Sequence, residues 1–319
     1  MAVHTKLSQA NIKNILKNYN LGRLSNFNGI TEGIENTNYL LETEENKFII
    51  TIFEKRVDPS LIPFYFEVMT KSKSQGIECP IPIEDKNGEY INIIKNKKMA
   101  VFIFLEGQSK KKWSELDCFK VGEKLAKFHF ANANNKLNAK NNFAINYWRD
   151  IFKKCKNQLN ELIPNSLNII TREINFISAN WPNNLPKGII HADLFPDNVF
   201  FKNRNISGFL DFYFSCNDFL SYDLAITINA WCFKNRKFNK KLFISLISGY
   251  ESIRKLELSE KKNINILLRG AALRFFFTRI CDSINNTKNK ILIKKDPLEF
   301  LEILNFHINK GSKNFYFNE

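Results

Sequence analysis

The chain has 319 residues, 44% hydrophobic and 25% charged, enough to bury a sizeable core and ordinarily to divide it between two domains. Its 47 Lys and Arg against 32 Asp and Glu give a net charge of +15, but Lys is spread among Asn, Ile and Phe along the whole chain. No basic patch exceeds Lys110-Lys111-Lys112, so no nucleic-acid interface is expected, and no apolar run approaches the roughly eighteen residues of a membrane span.

Met1 to Lys6 contains no apolar stretch, so no signal peptide is expected, and six scattered cysteines without a C-x-x-C pair predict reduced thiols in a cytoplasmic protein. The first hundred residues read mainly as strand. Runs at Leu24 to Ile30, Asn38 to Thr43 and Lys47 to Phe53 are β-prone and separated by Gly, Asn and Glu, the pattern of an antiparallel meander. Pro59 to Gln75 carries Leu61, Phe64, Tyr65, Val68 and Met69 at helical spacing, with Ser60 as the expected cap and Gly76 as the stop. Tyr90 to Ile94 and Met99 to Leu105 read as a further hairpin. After Glu106-Gly107 the pattern turns helical, over Glu115 to Ala131 and Tyr147 to Leu162, with a polar loop from Asn132 to Asn142. Two short apolar strands, Asn198 to Lys202 and Gly208 to Asp211, interrupt it before helices resume at Tyr222. The expected fold class is α+β and two-lobed: a β-rich lobe over residues 1–106 and a larger helical lobe over 107–319.

The segment from His191 to Asn198 keeps the H-x-D-x-x-x-x-N spacing of a kinase catalytic loop and is followed by strand, turn, strand and then Asp211-Phe212. In that pattern Asp193 is the base that takes the proton of an attacking hydroxyl. Asn198 and Asp211 supply oxygens to Mg²⁺ on the nucleotide phosphates. The plainer alternative is that Asx residues merely cap a loop, but all three polar types stand at the required offsets between apolar strands. His191 and His129 read as structural histidines, Asp197 as a solvated neighbour, and Asp223 as either a helix cap or a brace for the loop.

The chain resembles the aminoglycoside-phosphotransferase-like kinases, whose fold is protein-kinase-like, and within them the homoserine kinases. The residues that carry the resemblance run nearly end to end: Met1 to Lys6, Gly33 to Tyr39, Phe48 to Arg56, Phe104 to Gly107, His191 to Phe201, Asp211 to Phe214, Tyr222 to Ala225 and Arg269 to Phe275. The catalytic loop alone points to the superfamily, and the other segments together to homoserine kinase. The resemblance implies ATP and homoserine as substrates and O-phosphohomoserine as product. It also implies a hinge at Phe104-Leu105-Glu106 that meets adenine through backbone groups.

The phosphate-covering turn falls at Gly29 to Asn38. It lacks G-x-G-x-x-G, and Gly33, Asn36 and Asn38 are its candidate donors, against the reading of a plain hairpin turn. The strand position at which a kinase carries its phosphate lysine is occupied by Thr51, so Lys55 or Arg56 is the candidate substitute, with Glu67 as its partner. Surface lysines at a strand end are the bland alternative. Arg269, Arg274 and Arg279 stand in an apolar helical run, which suits an acceptor with a carboxylate better than a polycation. Arg274, between Leu273 and three phenylalanines, is the candidate substrate residue; a structural ion pair is its other reading. Two further functions remain open at this stage: a kinase acting on an amino-sugar, choline or methylthio-sugar, and a basic binding module without catalysis.

Overall fold

The structure is a computed structural model that describes residues 3–31, 36–54, 57–133, 138–164, 166–285, 295–310 and 315–317. The chain forms two compact units, one from residues 1–107 with 207–213, the other from 108–206 with 214–319.

The first unit is built on one antiparallel sheet. Helix α1 (Gln9–Lys17) precedes strands β1 (Leu24–Ile30), β2 (Thr37–Thr43) and β3 (Lys47–Ile52), then come α2 (Ile62–Ser74), β4 (Pro82–Ile83), β5 (Asn92–Ile94) and β6 (Lys97–Ile103). The strand order is β1-β2-β3-β6-β4, with β5 also paired to β6. Alternation decides which helix each face receives. Met99 and Val101 point with Tyr39, Leu41, Ile50 and Ile52 toward Ile12 and Ile15 of α1. Phe102, next to Val101 in sequence, points the other way and meets Phe66 of α2 edge-on, 5.5 Å between ring centres.

Helix α1 is not among the expected elements, which open with the strand at Leu24 and hold one helix in this region, over Pro59 to Gln75. Its start is fixed by a reciprocal cap, Ser8 accepting from the Asn11 amide and Asn11 from the Ser8 amide, the role ordinarily filled by Glu or Gln. Ser60 is not the cap of α2. Its amide and hydroxyl both donate to Asp58, and the helix begins after Leu61 with no side-chain cap.

The second unit opens with β7 (Gln108–Ser109), then α3 (Glu115–Ala131), α4 (Ile145–Leu162), α5 (Ser166–Asn180), β8 (Lys187–Ile190), β9 (Val199–Lys202) and β10 (Asn205–Phe209), whose chain passes into the first unit at Ser207. It resumes through β11 (Cys216–Phe219), α6 (Leu220–Trp231), β12 (Phe233–Lys234), β13 (Lys237–Phe238), α7 (Lys240–Glu251), α8 (Leu258–Asn285) and α9 (Pro297–Asn309). Helix α8 packs on α4, α6 and α9. Helices α3 and α7 cross with almost no side-chain spacer: a Cβ on Gly122 would meet the Leu246 carbonyl oxygen at 2.0 Å, and one on Gly249 the Phe119 oxygen at 1.9 Å. The strand expected at Gly208 to Asp211 lies earlier, as β10. A pair not foreseen, β8 with β11, sets Cys216 opposite Ile190 and Asp218 opposite Gly188. That pair launches the loop bearing Asp193.

Candidate active site

The loop after β8 turns through Ala192, whose φ of 65° is a left-handed conformation that a residue with a Cβ adopts at a cost of about 1–3 kcal/mol. A buried carboxylate holds it there. Asp223, in the first turn of α6, accepts the His191 amide on Oδ2 at 2.7 Å and the Ala192 amide on Oδ1 at 2.8 Å. His129 Nε2 donates to the same Oδ2 at 3.0 Å, and its Nδ1 meets the Tyr250 hydroxyl at 2.8 Å. Burial alone would raise the Asp223 carboxyl, but His129, His191 and the loop amide hold it below its ordinary value. Asp223 is therefore the brace and not the cap, which falls at Phe219.

Downstream the loop closes on itself. His191 Nδ1 accepts the Asp193 amide at 3.3 Å, and Trp231 Nε1 donates to the Leu194 carbonyl at 2.9 Å. Asn198 Nδ2 donates to the Asp193 carbonyl at 2.8 Å and to its Oδ2 at 2.9 Å. The structure thus brings Asp193 and Asn198 into direct contact, both half-buried, with the Asn198 amide nitrogen committed to Asp193. Asp197 is exposed and meets Lys295 at 3.0 Å.

Asp211 belongs to the first unit and has a φ of 58°. Its segment is pinned on both sides. The Phe209 amide donates to the Glu78 carbonyl at 2.9 Å, and a Cβ on Gly208 would strike that oxygen at 2.5 Å, so only glycine lets the strand pass. Phe212 is fully buried, and the Tyr213 ring stands edge-on to Phe53 at 5.4 Å and Tyr65 at 5.7 Å. Burial, with the Asp211 charge, holds the Tyr213 hydroxyl above its usual range.

Of the nucleotide-side candidates, Gly33 and Lys55 lie outside the described residues, as does Arg56. Asn36 is buried and accepts the Glu54 amide at 3.2 Å; Asn38 faces Thr51 across the ladder and accepts its hydroxyl at 2.8 Å. Lys47 is exposed and pairs with Glu42, and Glu67 pairs with Lys71 a turn along α2. Phe104 is half-buried, its amide donating to the Lys47 carbonyl at 3.3 Å, and Glu106 is exposed.

The three arginines of α8 separate. Arg269 forks onto buried Glu173, and Arg279 donates to Glu299 and to the Asp296 carbonyl. Arg274 is 2% exposed, yet among the described residues it makes no ion pair, and its Nη1 has no hydrogen-bond partner. Aromatic faces surround it: Phe275 at 4.8 Å, Phe143 at 5.3 Å and Phe214 at 5.8 Å from the guanidinium carbon. Phe275 in turn meets Phe195, two residues past Asp193, at 4.7 Å, which sets Arg274 one ring away from the loop. Beside it stand Tyr222, whose buried hydroxyl faces the Arg274 guanidinium, and Asp218. Neither was flagged by sequence. Both depend on the β8–β11 pairing, which no local pattern announces.

A profile of the phosphotransferase enzyme family matches residues 26–256. The homoserine kinase of Rhizobium etli is 40% identical over 313 residues, 98% of each chain, and that of Xanthobacter autotrophicus 40% over 308 residues, 96% of each. Among solved structures, an amicoumacin kinase in complex with AMP-PNP superposes with a TM-score of 0.73 at 13% identity, over 97% of this chain and 95% of that one. A spectinomycin phosphotransferase with bound ADP gives 0.71 at 13%, over 95% of each. The two structures share the fold; the kinases at 40% identity align over nearly the whole chain, and the chain belongs to the phosphotransferase enzyme family and, within it, to the homoserine kinases.

Proposed function

We propose that the protein transfers the γ-phosphoryl group of ATP to the side-chain hydroxyl of L-homoserine, releasing ADP and O-phospho-L-homoserine for threonine biosynthesis. The observation that carries the acceptor is the 40% identity with homoserine kinases over 98% of the chain. Asp193 accepts the hydroxyl proton as the oxygen attacks, and Asn198 keeps its carboxylate in one rotamer by donating to Oδ2. Arg274 takes the homoserine carboxylate in a bidentate fork; its buried and unpaired Nη1 supports that role, since an uncompensated buried guanidinium is costly until a ligand arrives.

Asn198 and Asp211 would hold Mg²⁺. Their donors are a neutral amide oxygen and a carboxylate, both suited to a hard cation that retains waters and phosphate oxygens. The ion would offset charge on the nucleotide phosphates. On the nucleotide side, residues 1–106 contribute Gly33, Asn36, Asn38 and Lys55 toward the phosphates and Phe104 and Glu106 toward adenine; residues 107–319 carry the base and the acceptor site. The six unpaired cysteines, five of them buried, fit a reducing cytoplasm.

An ADP-release assay across homoserine, serine, threonine, choline and an aminoglycoside tests the reading. Homoserine is expected to lead in kcat/KM by about a hundredfold or more, as a site built on polar contacts allows. A preference for any of the other four overturns it.

A further inference from the structure

Beside Arg274 the second unit holds a carboxylate, Asp218, to which the reading above gives no role. Asp218 lies on β11 with its side chain half-buried. Asn141 Nδ2 donates to Oδ2 at 2.7 Å, and the Phe219 amide donates to Oδ1 at 2.7 Å. The same Asn141 accepts the amide of Phe143 at 2.8 Å, and the Phe143 ring is one of the three that surround Arg274. Phe214, another of the three, ends a short 3-10 turn two residues before β11. One short stretch of backbone therefore carries Asp218 and one ring of the aromatic surround, and Asn141 ties a second ring to it.

Opposite charges so placed in a low-dielectric interior attract strongly and would ordinarily close into a salt bridge. Here they do not. Among the described residues Arg274 has no carboxylate within 4.0 Å, and Arg269 and Arg279 on the same helix both have one. A ligand that bears an ammonium and a carboxylate on one carbon would give Arg274 an anion and Asp218 a cation at once. We propose that Asp218 is the anchor for the α-ammonium group of the acceptor, so that Asp218 and Arg274 together select an α-amino-acid zwitterion. This deepens the acceptor reading above and rests on it.

Two further observations fit. Burial pushes the Asp218 carboxyl above its ordinary value, outweighing Asn141, the Phe219 amide and the charges of Arg274 and Lys187, which is the condition of a carboxylate awaiting a closer cation. The buried Tyr222 hydroxyl lies beside both charged groups and adds a third polar group to the set. Acceptors with one charge leave one side of the site uncompensated, so amino alcohols and hydroxy acids are rejected by the same pair.

The experiment compares homoserine with γ-hydroxybutyrate, which lacks the amine, and with homoserinol, which lacks the carboxylate. The native protein is expected to prefer homoserine over both by about tenfold or more in kcat/KM. Asp218→Asn is expected to raise KM for homoserine and homoserinol about tenfold, with KM for γ-hydroxybutyrate and for ATP within about twofold of native. Asn141→Ala, which withdraws the amide that aims Asp218, is expected to act in the same direction to a smaller extent. Arg274→Lys gives the complementary pattern, raising KM for homoserine while sparing homoserinol. Equal loss for all three acceptors in Asp218→Asn assigns it a structural role and overturns the proposal. Native protein that uses γ-hydroxybutyrate as well as homoserine overturns it without any variant. Protein that phosphorylates choline and none of these three overturns the acceptor reading itself.

Discussion

The loop around Asp193 and the surroundings of Arg274 are both buried, polar and charged, yet they treat hydrogen bonding in opposite ways. Around the loop, one carboxylate takes two backbone amides and a histidine, and that histidine is held in turn by a tyrosine. Around Arg274, a guanidinium nitrogen is buried without a hydrogen-bond partner among the described residues, and no carboxylate among them pairs with the charge. A satisfied network fixes a geometry; an unsatisfied one is completed by a ligand. The contrast separates the groups that hold the site in shape from those that receive the acceptor.

The largest effect is expected where the fixed geometry meets the chemistry. Asp193→Asn preserves the shape and the contact to Asn198 but cannot take a proton. It should lower kcat by about a hundred- to ten-thousandfold with KM for ATP nearly unchanged, measured by steady-state kinetics. Near-normal turnover would remove this loop from the reaction. Asp223→Ala attacks the brace instead. It leaves the His191 and Ala192 amides and His129 without their shared acceptor, at a cost of about 3–5 kcal/mol in urea unfolding. Because the folded Asp223 pKa lies below the unfolded one, this stabilisation is complete above about pH 4 and is lost as pH falls through the folded value.

The other side of the comparison is tested within one helix. Arg274→Lys keeps a charge but loses the fork, and should raise KM for homoserine about tenfold or more while thermal stability stays near native. Arg269→Lys, which breaks a bidentate pair with buried Glu173, should do the reverse: lower the melting temperature and leave KM within about twofold. Parallel losses of stability and homoserine affinity in both variants would erase the distinction between a paired and a waiting arginine.

Much of the scaffold was legible in the sequence because its signals are local. Helix α3 runs over the residues its apolar spacing indicates, and Ser114 caps it through Asp117. Strand β1 covers its expected span, and β3 and α4 differ from theirs only at one end. The H-x-D-x-x-x-x-N spacing located Asp193 beside Asn198 because the side-chain contact spans five residues. What was hidden is non-local. Helix α1 is short, and its apolar stripe acquires meaning only against a sheet formed by residues up to Val101. The four-residue strands β8 and β11 have little pattern of their own, and each exists because the other is there. Asp218 follows from that pairing and from Asn141, far earlier in the chain, so no window of sequence could show it. Thr51, at the expected lysine position, is explained in part: its hydroxyl donates to Asn38 inside the sheet.

His307 offers a milder test of a satisfied group. It is fully buried between the Tyr316 hydroxyl and Asn229 Oδ1, and burial, with a smaller contribution from Arg269, pushes its pKa down to about 3. The unfolded chain takes up this proton near pH 6.5 and the folded chain does not, so stability falls as pH drops below that value. The loss assigned to this residue is about 1.4 kcal/mol between pH 7.5 and 5.5, measured by urea unfolding at each pH. His307→Gln should be less stable at pH 7.5 and flatter over that range; an unchanged slope would assign the acid sensitivity elsewhere.

The smallest effect is expected where ion pairs are most numerous. Arg236 contacts two carboxylates, Asp296 at 2.5 Å and Glu302 at 2.7 Å, more than Arg269 or Arg274 can claim. Its side chain is 40% exposed, and those of its partners 43% and 48%. In that setting water already solvates the charges, salt screens them, and ordering three long side chains offsets what attraction remains. Arg236→Ala should therefore change stability by no more than about 0–1 kcal/mol, shrinking further in high salt, with KM for homoserine and ATP unaltered. The comparison is sharpened by the ordering that follows. Arg236 with two exposed partners should matter least, Arg269 with one buried partner should matter to folding, and Arg274 with none should matter to the acceptor. A large stability loss in Arg236→Ala would mean that pairing, and not burial, sets the worth of these arginines, and the unpaired state of Arg274 would then no longer point to a ligand.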